Sequence, residues 1–527
     1  MNLEREDNII GARCIFALNQ RALDSKTDDL TLIKESVKTK DGKEFRRIRL
    51  VENVKRPYYV VKKGKQVYRD KRENESLDDL DKYECNQAAL PYELNRKLNY
   101  IGGENPRVSM LNRSPYVYGT DVDVTTIVNH DLNSQYEKTY GAYMPEARRA
   151  MFDLETDVVH GHGKILMGTL CFDKDIYLAA TEEFAKGIDD YESLVLKFAD
   201  KTIGELIKER GLNLKVKVVK DEISVVKSLF AVAHKVKPDF MAIWNMAFDI
   251  PKVIKACEEA GVHPADIFCD PSIPARYRRF RWNDSKTSRV KADGKKMNFD
   301  PTDLWHTVEA LASFQIIDAM CLFRTIRSIE QMRNSYSLDS VLKDYTKIQK
   351  LKWDGANHIN PASIEWHRFM QSANVDIDDA SMDNENRIAY SVYCAFDGIS
   401  MTILDDKTKD ICVALLVYIG ISQISRIKSN PKRLCDAYYF YLLNEHNRVL
   451  CGTSDDMKED FDKLLLGRQE WIVTLSNFNV QLESKDIYKP EYSSFELLCR
   501  IYKQCFDVDI TSLMFTRATV NNGALYW

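Results

Sequence analysis

Cysteine pairing motifs are missing from this chain. Its twelve cysteines include no C-x-x-C pair and no regular spacing. That argues against a zinc ribbon or a secreted disulfide framework and fits a reducing cytoplasm. Long apolar runs are missing too. The longest, ICVALLVYIGI from Ile411 to Ile421, falls short of the roughly 20 residues that a membrane-spanning helix needs. The first residues, MNLEREDNII, lack the basic-then-apolar order of a signal peptide. No internal repeat or low-complexity tract interrupts the chain. A net charge of −4 argues against a uniformly basic nucleic-acid coat and leaves local basic grooves open. A soluble cytoplasmic protein with no membrane partner is the expectation.

What is present is a globular composition, 44% hydrophobic and 29% charged over 527 residues, enough for two to four domains. Before about residue 150, short apolar runs alternate with a basic stretch from Glu44 to Arg72. This stretch reads either as a solvated, strand-rich surface or as a phosphate-tracking one. Tyr58 and Tyr59 within it leave nucleic acid open.

From Ala150 the pattern changes. MFDLET, KILMGTLCF and DIYLAA predict three successive strands. YESLVLKFADKTIGELIKER predicts a helix, LKVKVVK a strand, and DEISVVKSLFAVAHKVK a helix with Ile223, Val226, Phe230 and Ala233 on one face. Strand FMAIW then leads into helix IPKVIKACEEAG, with Pro251 in its first turn and Gly261 at its end. Strands first, then alternating helix and strand, predict a mixed α/β layer. Between Ala275 and Phe299 lies a segment dense in Arg and Lys, with Asp293-Gly294 as a hairpin signal. It reads as an exposed arm, carrying charge either for solubility or for a phosphate backbone.

The chemistry is concentrated in three places. In MFDLETD, Asp153 and Glu155 stand two apart on a predicted strand, so both carboxylates project from one face. Like charges that close repel, and something positive must hold them. In WNMAFDIP, Asp249 lies at a strand-to-helix junction, where it also reads as an ordinary helix N-cap. In NRIAYSVYCAFDGISMTIL, the spacing of Ile388, Val392, Phe396 (or Ala395), Ile399 and Ile403 predicts a helix with one buried stripe. Tyr393 and Asp397, four apart, share an adjacent face of it. Four carboxylates from a strand, a junction and a helix suit two divalent ions about 4 Å apart. Hard oxygen ligands with no His at the centre favour Mg2+ or Mn2+ over zinc.

FDLET, WNMAFDIP and YCAFD resemble the three exonuclease motifs of family B DNA polymerases, the DEDD nucleases with a tyrosine in the third motif. SFQIIDAMCLFRTI, SYSLDSVLKDY and KLKWDGANHINP resemble the same domain of tailed-phage replicative polymerases, in the same order. The resemblance implies an α/β architecture: an N-terminal domain over 1–149 and a ribonuclease-H-like 3′–5′ exonuclease domain over 150–405. A connecting segment over 406–462 and a partial palm over 463–527 would follow. It further implies that Asp153 binds both metals, that Glu155 and Asp397 hold the one activating water, and that Asp249 supports the second. Tyr393 would hydrogen-bond the attacking water, and Asn245 and Phe248 would line the single-strand path. Arg278, Arg279 and Arg281, in the basic arm, would touch DNA. Host cytoplasm is the implied location for a phage-encoded chain.

DITSLMFT, Asp509 to Thr516, resembles the family's first palm motif, with Met514 and Phe515 where Tyr and Pro are expected. Asp509 would be a polymerase metal ligand. No Asp-Thr-Asp pair follows it, so the expectation is the N-terminal portion of a split or truncated polymerase. Its expected partners are single-stranded DNA, primer-template DNA and a second chain carrying palm and thumb. A free-standing exonuclease and a non-catalytic primer-template binding subunit are the competing expectations.

Overall fold

The computed structural model describes residues 8–450, apart from 67–73, 100–105, 113, 286–287, 291–295, 328–332, 352–362, 372–379 and 412–429. The segment around Asp509 and the rest of the expected palm therefore lie outside the described residues. The fold is mixed α/β and divides into two compact units. Of the described residues, those within 8–15, 34–48 and 140–411 belong to one, and those within 16–33, 49–139 and 430–450 to the other.

The first unit is built on a six-stranded sheet. Its strands are β1 (Arg149–Thr156), β2 (Ile165–Phe172), β3 (Asp175–Thr181), β4 (Asn213–Val219), β5 (Phe240–Ile243) and β6 (Gln315–Asp318). Their order is β4-β3-β2-β1-β5-β6. β2 is antiparallel to both β1 and β3, while β3–β4, β1–β5 and β5–β6 are parallel. β2 alone thus runs against the rest. The helices are α1 (Tyr191–Arg210), α2 (Glu222–Val236), α3 (Met246–Glu259), α4 (Leu338–Thr346), α5 (Ile364–Gln371) and α6 (Ala380–Thr408). The three strands and two helices expected between Met151 and Arg210, and between Asp221 and Lys237, form where the periodicity places them.

The two faces of β1 divide by parity. Ala150, Phe152 and Leu154 enter a core with Val226, Leu229 and Phe230 of α2 and Ile250 and Val253 of α3. Met151, Asp153 and Glu155 point the other way, toward α6. That helix approaches β2 closely at Gly398, where an added Cβ would stand 2.6 Å from Cys171 Sγ and 3.0 Å from Thr169 Cγ2. Thr169 is the register partner of Asp153, so the glycine lets α6 settle directly over the two acids.

The expected single buried stripe on α6 is a correction. Residues 387–401 are buried on every side, because the helix lies between the sheet face and α1, α4 and α5. A helix packed all round shows no amphipathic face to read.

At the amino-terminal edge of the parallel strands, a buried charge cluster fixes their alignment. Lys34 Nζ lies 2.9 Å from Asp239 Oδ1, both fully buried. It also donates to Ser313 O at 2.6 Å and Lys237 O at 3.0 Å. Arg46 grips the same carboxylate through Nε and Nη2, and the Arg148 N–H donates to it at 2.9 Å. Burial pulls the Lys34 ammonium down to about 8 against the pull of Asp239. Asp239 thereby ties together the entries to β1, β5 and β6. Their carboxyl ends are held level at the opposite edge, where ligands bind in open α/β sheets.

The basic stretch predicts Arg46 and Arg47 on a solvated or phosphate-facing surface. Arg46 is instead spent on Asp239 and Glu44, and Arg47 on Glu35.

In the second unit, strand Arg56–Val61 is antiparallel to Leu80–Cys85 and to Val117–Tyr118. Arg56 is fully buried and donates to Gly119 O and Thr120 O. Tyr58 and Tyr59 are core residues, 1% and 3% exposed. They cannot stack on bases from there, which corrects the open nucleic-acid reading of that stretch.

Candidate metal centre

Asp153 and Glu155 stand near the carboxyl end of β1, just before a register shift between Glu155 and Thr156. Bulges of this kind re-aim side chains. Asp397 comes from the middle of α6. One oxygen from each of Asp153, Glu155 and Asp397 lies within 4.8 Å of the others, the one such group among the described residues.

Asp249 is the fourth carboxylate. Pairing between β1 and β5 ends at Met151–Ala242, short of the Leu154 N–H. The Asp249 carboxylate accepts it. Its reading as an N-cap is corrected, because α3 begins at Met246 and Asn245 holds the cap position. Asp318, at the end of β6, accepts from the Met246 N–H at 3.2 Å and from the Cys321 N–H at 2.8 Å. It anchors two helix starts and so fixes the turn that aims Asp249 inward. Asn245 and Phe248 face out of that turn; Phe248 is 44% exposed, large for an aromatic side chain.

The electrostatics are those of carboxylates short of positive charge. Burial first, then Asp397 and Glu155, hold Asp153 well above the ordinary range. Burial and Asp397 push Glu155 up to about 8. Burial, Asp153 and Asp318 raise Asp249. Asp397 is raised by burial despite Lys350.

The sequence pattern does not single out Lys350. It lies within KLKWDGANHINP, and its Nζ donates to Asp397 Oδ2 at 2.6 Å and to Tyr393 Oη at 2.8 Å. Burial lowers its ammonium, but the charges of Asp397 and Asp153 outweigh that and hold it above its usual value. It supplies one positive charge against four carboxylates, so a deficit remains. Asp397 Oδ1 is buried with no hydrogen-bond partner among the described residues. An acceptor left so, beside two further carboxylates, fits a cation ligand better than a structural acid. The donors are hard oxygens, suited to a divalent cation.

Tyr393 packs against Trp366 at a tilt of 46°, ring centroids 4.3 Å apart. Its phenol is raised well above its usual range by burial and then Asp397, so it remains protonated. His367 stands behind the acids rather than among them, its Nδ1 3.5 Å from Glu155 Oε2.

In the basic arm, short strands pair Ser288 with Asn298 and Val290 with Lys296. They bracket Asp293-Gly294, which lies outside the described residues. Arg278 is committed to its own loop, donating to Ile273 O at 2.8 Å and Pro271 O at 3.0 Å. Arg279 is half-buried, and Arg281 is exposed, opposite Glu309 in the register.

No protein-family model matches this chain, and no curated protein matches it significantly. Among the described residues, no helix is long and apolar enough to cross a membrane.

Proposed function

We propose that this chain is a metal-dependent 3′–5′ exonuclease that hydrolyses DNA ends, the proofreading portion of a family B DNA polymerase. The observation that carries the reading is the convergence of Asp153 and Glu155, from the first motif, and Asp397, from the third, with one oxygen of each within 4.8 Å of the others. The antiparallel β1–β2–β3 run, continued by parallel β5 and β6, supports a ribonuclease-H-like domain around that site.

Asp153, Glu155 and Asp397 would hold Mg2+ or Mn2+, with Asp249 in support. Bound there, two such ions would supply a hydroxide nucleophile and neutralise the negative charge developing on the phosphoryl and leaving oxygens. Tyr393, kept a phenol, orients the attacking water. Asn245, at the cap of α3, and Phe248, on its first turn, are both exposed and guide the single strand to the acids. Water attacks the terminal phosphodiester, the bond from phosphorus to the 3′ oxygen breaks, and a 5′-mononucleotide leaves. Primer-template DNA and a second chain with palm and thumb are the proposed partners of the segment around Asp509.

The test uses the full chain, a 5′-labelled single strand and Mn2+. Stepwise shortening from the 3′ end is expected, absent in Asp153→Ala with Glu155→Ala. Persistence in that double variant, or shortening from the 5′ end, would overturn the reading.

A further inference from the structure

Beside Glu155, three side chains meet at one hydroxyl. Tyr390 lies on α6 one turn before Tyr393 and is fully buried. Its hydroxyl donates to Glu155 Oε2. The hydroxyl oxygen is 2.9 Å from Gln371 Nε2 and 3.0 Å from His367 Nδ1, both on α5. Gln371 is itself fixed: Nε2 also donates to Thr156 O at 2.9 Å, and Oε1 accepts from the Val158 N–H at 3.0 Å.

A phenol has one proton to give and lone pairs to accept with. Gln371 can only donate through Nε2. When Glu155 is an ionised ligand it can only accept. The Tyr390 proton is therefore directed to Glu155, and His367 presents Nδ1–H to the tyrosine. The hydroxyl then has every position filled and the Glu155 carboxylate has one orientation. Gln371 spans the register shift that follows Glu155, so α5 fixes both the strand exit and the carboxylate it carries.

We propose that Tyr390, oriented by His367 and Gln371, is a positioning residue that holds Glu155 in its metal-ligating orientation. This rests on the exonuclease reading and assigns to α5 a part in metal affinity that no sequence motif indicates. Partners standing behind a ligand are worth about 10- to 100-fold in metal affinity.

The test is Mn2+ binding to the full chain, followed by electron paramagnetic resonance, beside single-strand DNA affinity and thermal unfolding. Tyr390→Phe deletes one oxygen and is expected to weaken Mn2+ binding about 10-fold or more, with DNA affinity and unfolding near those of the unaltered chain. His367→Leu should weaken Mn2+ binding as well, and His367→Asn, which keeps a donor in the Nδ1 position, should recover most of the loss. Unchanged Mn2+ affinity in Tyr390→Phe, while Asp153→Ala abolishes it, would overturn the positioning role and leave the exonuclease reading standing. Mn2+ binding that ignores Asp153→Ala would overturn both. Equal failure of His367→Leu and His367→Asn would show that α5 acts through packing, which also overturns it.

Discussion

Lys350 Nζ lies 2.6 Å from Asp397 Oδ2, across 47 residues of chain. The lysine arrives from the segment after α4 and the aspartate from the middle of α6. Their pairing is the protein's own partial answer to the repulsion among buried acids, and it leaves one Asp397 oxygen free for a cation.

The first prediction concerns that ammonium. Lys350→Met removes the donor to both Asp397 and Tyr393. Breaking a buried pair from one side costs about 3 kcal/mol, so the metal-free chain should unfold at lower denaturant. Saturating Mn2+ should recover part of that loss in the same titration. Equal stability of the variant and the unaltered chain without metal would show that the contact carries no weight.

A second prediction separates two residues of one helix. Asp397→Ala removes a proposed metal ligand, whereas Tyr393→Phe removes a hydroxyl that orients water. Single-turnover hydrolysis should fall by roughly 10²-fold for Tyr393→Phe, the scale of a positioned proton-bearing group, and by orders of magnitude more for Asp397→Ala. Equal losses would mean that the roles are misassigned.

The third is a pH dependence with a definite sign. Glu155 stands near 8 when folded and near 4.3 when unfolded. Between these values the folded chain binds more protons than the unfolded one, so metal-free stability must fall as pH rises. The shifts of Asp153, Asp249 and Asp397 have the same sign. Denaturant unfolding in chelator should therefore show greater stability at pH 5 than at pH 8. Glu155→Gln should flatten the slope by up to about 1.4 kcal/mol per pH unit, and divalent cation should offset the loss at pH 8. A rising slope would contradict the burial of these acids.

The fourth distinguishes two arginines of the basic arm. Arg281 is exposed and able to meet a phosphate, so Arg281→Ala should reduce the salt slope of DNA binding by roughly one unit. Arg278→Ala should leave that slope alone and lower stability by about 1–2 kcal/mol, because its guanidinium is bonded to its own loop. The reverse pattern would place the phosphate contact at Arg278.

Much of the site is legible in the sequence by itself, because it is written in local pattern. Alternation puts Asp153 and Glu155 on one face of a strand, and a four-residue spacing puts Tyr393 and Asp397 on one face of a helix. The junction at Asp249 is marked by the apolar run before it and the proline after it. Period and punctuation are properties of neighbouring residues, and they survive without tertiary contacts.

What the tertiary structure decided is everything that depends on contacts distant in sequence. Lys350 sits in a stretch with no regular period, and nothing local tells a lysine bound for solvent from one drawn into an acidic site. Tyr390 reads as one more buried aromatic unless α5 brings His367 and Gln371 to its hydroxyl. Arg46, Arg56 and Arg278 read as surface charge because a basic run carries no mark of the carbonyls and carboxylates that fold against it. The all-round burial of α6 follows from layers packed on every side of it, and it erases the stripe its sequence suggests. Short-range spacing sets which face of an element a side chain occupies, but whether that face meets water, a counter-charge or a hydroxyl is decided by whatever distant chain is packed upon it.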